Sequence, residues 1–382
     1  MLAPPLLRRG AVGIDANLVY LLAMTAKTHG LGGRLCTLGV QEVRPAPAVI
    51  AASLTAAGLS GLAESRGFSR GDSSTFHKCL GFESSESIDI SDFEGCTHLF
   101  DLNAPGVPAT LAERFDAVYN GGTLEHIFDL RAGLRNVFEL LRPTGVAIHA
   151  GPVNGWVDHG LYQFSPTLLL DYYFANRFDI LEMRLVQTRP GNTSEAIVHS
   201  YAPGAFDGRS QDDFAGQWLF YAAFRKRVDS TWAAIPQQRL YTVVYGAAND
   251  VTTAPRLRYE APFVLDSGIP RQRSWSVTAL PAPAHATGFE WVIPLPHLQH
   301  VADDDARCVS PLMLYEDGHA IGPPHAIHDA IRRLGSGRYS HWTDSLRFSP
   351  SRNDDARQHQ YAYACVDWST LTPLAPGLVS RG

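Results

Sequence analysis

Polar side chains able to do chemistry gather in the first half of the chain, each set following a short apolar run. Gly39, Gln41 and Glu42 follow RLCTL, and Asp89, Ser91 and Asp92 follow ESIDI. Asp101 and Asn103 stand in FDLNAP, and Asn120, Gly121, Gly122, Thr123, Glu125 and His126 close FDAVYNGGTLEH. Carboxylates delivered to one place suit a ligand with a ribose diol and a base amino group. One carboxylate accepts both ribose hydroxyl protons, and a second accepts from an exocyclic amine. His126, His149 and His159 are candidates for taking a proton, with Tyr162 as a positioning group. His159 lies in a Gly/Asp/Asn loop with no apolar face to account for it, and is the preferred base. His126 reads as a base or as a helix cap, and His149, in VAIHAGP, as a base or as a satisfied core histidine. Glu125 reads as a ligand-side carboxylate or as a solvated turn residue.

The elements that must position these groups alternate. IDANLVYLLAMTAK has its apolar residues at helical spacing, and Arg34 to Leu38 reads as a buried strand ending at Gly39. PAPAVIAASLTAAG reads as a helix with prolines at its start. FSRGDSSTFHKCLGF runs from a polar loop into another helical turn, and ESIDISDFEG supplies a second strand. FDAVYN is a strand, and LRAGLRNVFELLRPTG an amphipathic helix with Leu134, Val137, Phe138 and Leu141 on one face and Pro143 closing it. VAIHAGP is a strand, and SPTLLLDYYFANRF a helix capped by Ser165 with Pro166 in its first turn. FDILEMRLVQ and WLFYAAFRK read as a strand pair flanking a polar stretch, Thr188 to Gly216. Alternation of this kind implies a parallel sheet covered on both faces. The ligand crevice then lies beyond the carboxyl ends of the strands.

Residues from about Arg34 to Val186 resemble class I S-adenosylmethionine-dependent methyltransferases, most clearly in FDAVYNGGTLEHIFD and LRNVFELLRPTG. The resemblance implies a Rossmann-like α/β domain with a seven-stranded, mainly parallel sheet ending in an antiparallel hairpin. It also implies S-adenosyl-L-methionine as cofactor. Gly39 would approach its methionine end, Asp89 its ribose and Asp101 its adenine, while Asn120, Gly121, Gly122 and Thr123 would line the methyl-transfer face, with Glu125 a further cofactor-side candidate. HGLYQFSP also resembles a subset of bacterial members. The first motif departs from the family: TLGVQEV has one glycine where an acidic residue and G-x-G-x-G are usual.

The chain of 382 residues is long enough for two domains. A formal net charge of -6 with no long basic run gives no electrostatic footprint for a nucleic-acid partner. The 5 cysteines, with no C-x-x-C pair, read as reduced thiols of a cytoplasmic protein. No apolar run reaches the length of a membrane span. After Lys226 the text changes to short runs such as LYTVVYG, SWSVTAL, FEWVIPL and VSPLMLYEDG, with HAIHDAIRRLG as the one helix. Residues 1–230 are therefore expected to form the Rossmann-like domain and 238–382 a smaller β-rich, sandwich-like domain. DDD at Asp303 to Asp305 reads as a solvated turn, and His319, His325 and His328 lack a completing carboxylate or cysteine, so no metal site is expected. The stretch around Arg338, Tyr339, Ser340, His341 and Trp342 resembles a module of bacterial surface-polysaccharide biosynthesis proteins. It reads as a sugar-stacking platform or as a buried aromatic–polar network. The acceptor of the methyl group is expected to be a small or carbohydrate-like molecule, and self-association is left open.

Overall fold

In the computed structural model, residues 13–59, 73–189, 192–202, 206, 215–238, 259–271, 275–305 and 307–374 are described. The chain divides into two compact units. One comprises Met1–Ala196, Gly216–Pro236 and Leu265–Pro270, and the other Ile197–Ala215, Gln237–Val264 and Arg271–Gly382.

The principal sheet contains β1 (Gly33–Leu38), β2 (Phe82–Asp89), β3 (His98–Leu99), β4 (Phe115–Gly121), β5 (Leu141–Asn154) and β6 (Asp179–Arg189). It continues with β7 (Asn192–Ser200), β8 (Gln217–Arg225), β9 (Phe263–Asp266) and β10 (Ile269–Arg271). These run in the order β10-β9-β7-β6-β8-β5-β4-β1-β2-β3. β1 pairs in parallel with β2 and β4, β2 with β3, and β4 with β5. β8 lies antiparallel to both β5 and β6. This is the expected mixed α/β fold, with a Rossmann-like, methyltransferase-type sheet. The sheet does not stop at the antiparallel pair, however. β7 falls in the stretch read from sequence as polar, because NTSEAIVHS mixes polar residues with its buried Ala196, Ile197 and Val198.

Helices α1 (Ala16–His29), α2 (Pro47–Ala56), α3 (Ser73–Cys79), α4 (Leu130–Leu140) and α5 (Pro166–Ala175) fall where the periodicity places them. Asp129 caps α4 by accepting from the Ala132 amide, and Leu134, Val137 and Leu140 are buried. Pro143 was expected to close this helix. Instead α4 ends at Leu140 and the chain enters β5 directly, since the residue before a proline disfavours helical backbone. Ser165 occupies the cap position of α5 but makes no side-chain cap bond. No helix among the described residues is long and apolar enough to cross a membrane.

The C-terminal unit holds two antiparallel sheets. Leu312–Glu316 and Tyr361–Asp367 lie at the centre of one, and Glu290–Pro294 and Ser345–Phe348 at the centre of the other. Trp291, Ile293, Leu346 and Phe348 from one sheet pack in a single core with Leu312, Leu314 and Tyr361 from the other, as in a sandwich. His328–Leu334 is helical, and LYTVVYG lies outside the described residues.

Burial removes Tyr339 and His341 from the sugar-platform reading of the Arg338–Trp342 stretch. Tyr339 is 1% exposed and donates to the Leu312 carbonyl at 2.9 Å, and His341 Nδ1 meets Ser310 Oγ at 2.8 Å. A residue so placed stacks on no sugar. Tyr339, Ser340 and His341 belong to an internal network, while Arg338 and Trp342 are half-buried. Asp303 likewise corrects the solvated-turn expectation: it is buried, meets His325 Nδ1 at 2.8 Å and accepts from the Ser310 amide. A buried carboxylate is tolerable only with such partners. The Phe348 ring, 0% exposed within this core, gives a direct test of the sandwich. Phe348→Ala should cost about 3–5 kcal/mol, much of a small unit's stability. Denaturant titration should show the corresponding transition at a clearly lower midpoint, and an unmoved midpoint would contradict the packing.

Candidate functional site

The carboxyl ends of β1, β2 and β4 meet at a floor of backbone and short side chains. Gly39 follows β1 at φ 72, a left-handed conformation that a glycine adopts without penalty. A Cβ placed on it would lie 3.0 Å from Thr123 Oγ1, and 3.8 Å from both Asp89 Oδ2 and Gln41 Nε2. The three side chains therefore converge on one small volume. A Cβ on Gly121 would meet the Tyr119 ring at 2.6 Å and Gln41 Oε1 at 2.7 Å, so this position too admits only glycine.

Side-chain bonds hold the turn after β4. Asn120 Oδ1 accepts from the Thr123 and Leu124 amides, both at 3.0 Å, and Thr123 Oγ1 donates to the Leu38 carbonyl at 2.7 Å. The Gly122 amide donates to the Ala150 carbonyl at 3.0 Å. Asn120 and Thr123 thus build the turn as well as bordering the crevice. Asp89 Oδ1 accepts from the Ser91 amide at 3.1 Å. Asp101 is exposed, and its Oδ1 accepts from the backbone and side-chain nitrogens of Asn103, which holds its carboxyl below the usual carboxylate range. Asn103 Oδ1 in turn accepts from the Asp129 amide, and Asn136 in α4 ties down the Leu102 and Ala104 carbonyls. The Asp101 loop is thereby fixed beside the start of α4.

Several buried polar atoms here have no hydrogen-bond partner among the described residues: Gln41 Oε1, the Tyr119 hydroxyl, Asn120 Nδ2 and both carboxyl oxygens of Glu125. Native proteins leave few buried polar atoms unsatisfied, and several at one strand edge point to a ligand. Glu125 is 0% exposed, so it is no solvated turn residue, and burial pushes its carboxyl up to about 7. It sits in a one-turn helix, Leu124–His126.

The segment carrying His159 and Tyr162 is fastened over this turn. The Glu125 carbonyl accepts from the Leu161 amide at 2.7 Å and from the Tyr162 amide at 3.2 Å. Gly160, at φ 81, makes the approach possible, for a Cβ there would lie 2.9 Å from the Glu125 carbonyl oxygen. The Tyr162 hydroxyl donates to the Phe128 carbonyl at 2.8 Å, joining the two loops. His159 Nε2 lies 3.8 Å from Glu125 Oε1 with its side chain 42% exposed. The His126 and Trp156 rings stand 5.3 and 5.1 Å from the His159 ring. Burial, and then the neighbouring His159, hold the exposed His126 imidazole below its ordinary range. Sequence reading did not single out Tyr119 or Trp156. An aromatic inside an apolar strand, or in a Gly/Asn loop, carries no spacing signal of a site.

No family model matches the chain, and no curated protein matches it. About 55% of the chain is similar in structure to S-adenosylmethionine-dependent methyltransferases. The 1,6-didemethyltoxoflavin-N1-methyltransferase of Burkholderia thailandensis, solved with 1,6-didemethyltoxoflavin and S-adenosylhomocysteine bound, is 13% identical over 58% of this chain and 81% of its own, with a TM-score of 0.31. The N-methyltransferase NodS of Bradyrhizobium japonicum is 12% identical over 55% of this chain and 94% of its own, at a TM-score of 0.30. A methyltransferase of Thermotoga maritima, described as a possible histamine N-methyltransferase, is 14% identical over 55% and 89%, at 0.28. The site's own geometry carries the reading that follows.

His149 is the in-register neighbour of Asn120 but is fully enclosed. It is 0% exposed, its Nε2 lies 2.6 Å from the Tyr173 hydroxyl, and burial pushes its imidazole down from 6.5 to about 3. It is a core histidine. Because its folded-state value lies below the unfolded one, the unfolded chain takes up the proton first as pH falls. Stability should therefore decline between pH ~6.5 and ~3, by up to about 5 kcal/mol from this group alone. His149→Gln, which keeps a polar partner for Tyr173 and cannot titrate, should flatten that slope in urea-unfolding series across pH. An unchanged slope would assign the acid sensitivity elsewhere.

Proposed function

We propose that this protein transfers a methyl group from S-adenosylmethionine to an oxygen, with nitrogen less favoured, of a small or carbohydrate-like acceptor. The observation that carries the reading is the set of unsatisfied buried polar atoms, Gln41 Oε1, the Tyr119 hydroxyl, Asn120 Nδ2 and the Glu125 carboxyl, at the carboxyl edge of a parallel sheet. The residues fit the cofactor. Gly39 leaves room for close approach, Asp89 offers a carboxylate oxygen to the ribose hydroxyls, and Asp101 one to the adenine amine. Bound there, the cofactor supplies a sulfonium methyl that an acceptor oxygen captures while the electron pair of the broken carbon–sulfur bond stays on sulfur.

The chain's own residues align the acceptor and take its proton. His159, exposed at the mouth and backed by the Glu125 carboxylate, is the base, His126 borders it, and Tyr162 holds both loops in register. What supports a carbohydrate-like acceptor is the resemblance of the stretch around Arg338–Trp342 to a polysaccharide-biosynthesis module.

Calorimetric titration with S-adenosylhomocysteine should show binding, and Asp89→Ala should weaken it by ~1.5–3 kcal/mol for a lost charge-assisted hydrogen bond. His159→Ala should lower turnover roughly 100-fold while leaving cofactor affinity near wild type. Wild-type protein that gives no heat with millimolar S-adenosylhomocysteine would sink the enzyme reading and favour a non-catalytic scaffold or sugar-binding role in glycan assembly.

A further inference from the structure

Glu125, His126 and His159 converge more closely than proton transfer alone requires. One donor atom from each lies within 4.8 Å of the other two, and no other such trio occurs among the described residues. We propose that these three side chains hold a divalent first-row metal ion, for which Zn2+ is the best match to two imidazoles and one carboxylate.

Three observations support it. The Glu125 carboxyl is 0% exposed with neither oxygen hydrogen-bonded, a costly arrangement that a cation relieves directly. His159 Nε2 is 3.8 Å from its Oε1, too long for a hydrogen bond and close to the spacing of two ligands on one ion. Ligation at about 2.1 Å separates tetrahedral donors by about 3.4 Å, and rotation of two exposed or half-exposed imidazoles supplies the difference. The backbone, finally, is fixed where it has to be. The Glu125 carbonyl itself accepts from Leu161 and Tyr162, so the loop bearing His159 cannot drift from the turn bearing the other two ligands.

The ligand set is open. His126 is exposed and the His159 side chain is 42% exposed, so solvent or an acceptor can complete the shell, as in catalytic rather than structural sites. Resting on the methyl-transfer reading, the cation would bind the acceptor's hydroxyl and ease its ionisation. The O–H electron pair stays on the coordinated oxygen and the proton passes to water, because the His159 lone pair is spent on the metal.

The test uses the full chain, stripped with a chelator and then titrated with Zn2+ by calorimetry, with metal content counted after dialysis. Wild type should bind one equivalent that His126→Ala, His159→Ala and the near-isosteric Glu125→Gln each lose or weaken at least tenfold. His319→Ala, an exposed imidazole of the other unit, should keep it. With Co2+ in place of Zn2+, the visible bands of the bound ion should vanish in the same three variants. Equal binding by wild type, His126→Ala and His159→Ala, or no bound equivalent in wild type, overturns the proposal. Zinc bound here without any S-adenosylhomocysteine binding would remove methyl transfer and leave the metal site standing. The reverse result would leave methyl transfer with His159 as its base and no metal.

Discussion

A carboxyl group with no exposure and no hydrogen bond is the constraint around which this site is arranged. Glu125 enters the interior on a single helical turn, and its Oε1 lies 3.8 Å from His159 Nε2. Burying such a group costs several kcal/mol in an apolar setting, and the usual remedy is a partner. Asp303, almost equally buried, has that remedy in both an imidazole and an amide. Glu125, unlike Asp303, has no side-chain hydrogen-bond partner among the described residues. Perturbed, unsatisfied groups of this kind collect where a protein gives up stability for chemistry.

The surrounding architecture makes that arrangement rigid. Parallel strands bring Gly39, Asp89 and Asn120 to one level, and the Asn120 side chain then closes the turn that aims Glu125 inward. Tyr162 and the Glu125 carbonyl lock the second loop onto the first, while α4, through Asn136, does the same for the loop bearing Asp101. Each tie is a hydrogen bond that holds backbone in place and consumes none of the unpaired polar atoms. Such supporting contacts hold reacting groups to the tolerances catalysis needs.

How much of this was legible depends on whether the signal is local. β1, β2, β4 and the helices α1, α2, α4 and α5 were readable because apolar periodicity and caps lie within one segment. So was the convergence of strand ends, which follows from parallel topology. The role of Tyr162 was readable only as positioning, since its partner, the Phe128 carbonyl, comes from another loop. The spacing of Glu125, His126 and His159 matches no ligand pattern, whereas His319, His325 and His328 are close in sequence but form no such trio among the described residues. β7 was hidden by its polar residues, and the burial of Tyr339 by the polar look of its neighbours. In each case the missing information is a contact between segments, which no window of residues contains.

The single glycine of TLGVQEV looked from sequence like a weakness in the cofactor crevice, and the local bonding gives a physical reason why it need not be one. Extra glycines would serve to let the backbone turn sharply and come close. Here the turn is secured by side chains: Thr37 Oγ1 donates to the Gly39 carbonyl at 2.9 Å, and Gln41 Nε2 to the Leu38 carbonyl at 3.0 Å, which also accepts from Thr123 Oγ1. The residue with left-handed backbone in this turn, Gly39, is a glycine, and so is Gly122 after β4, at φ 87. The same bonds that replace the glycines aim Gln41 so that its Oε1 is left unpaired beside Gly121. A rigid turn that ends in an unpaired buried acceptor is better suited to receiving a donor from a ligand than a flexible turn with none, because the ordering entropy has already been lost on folding.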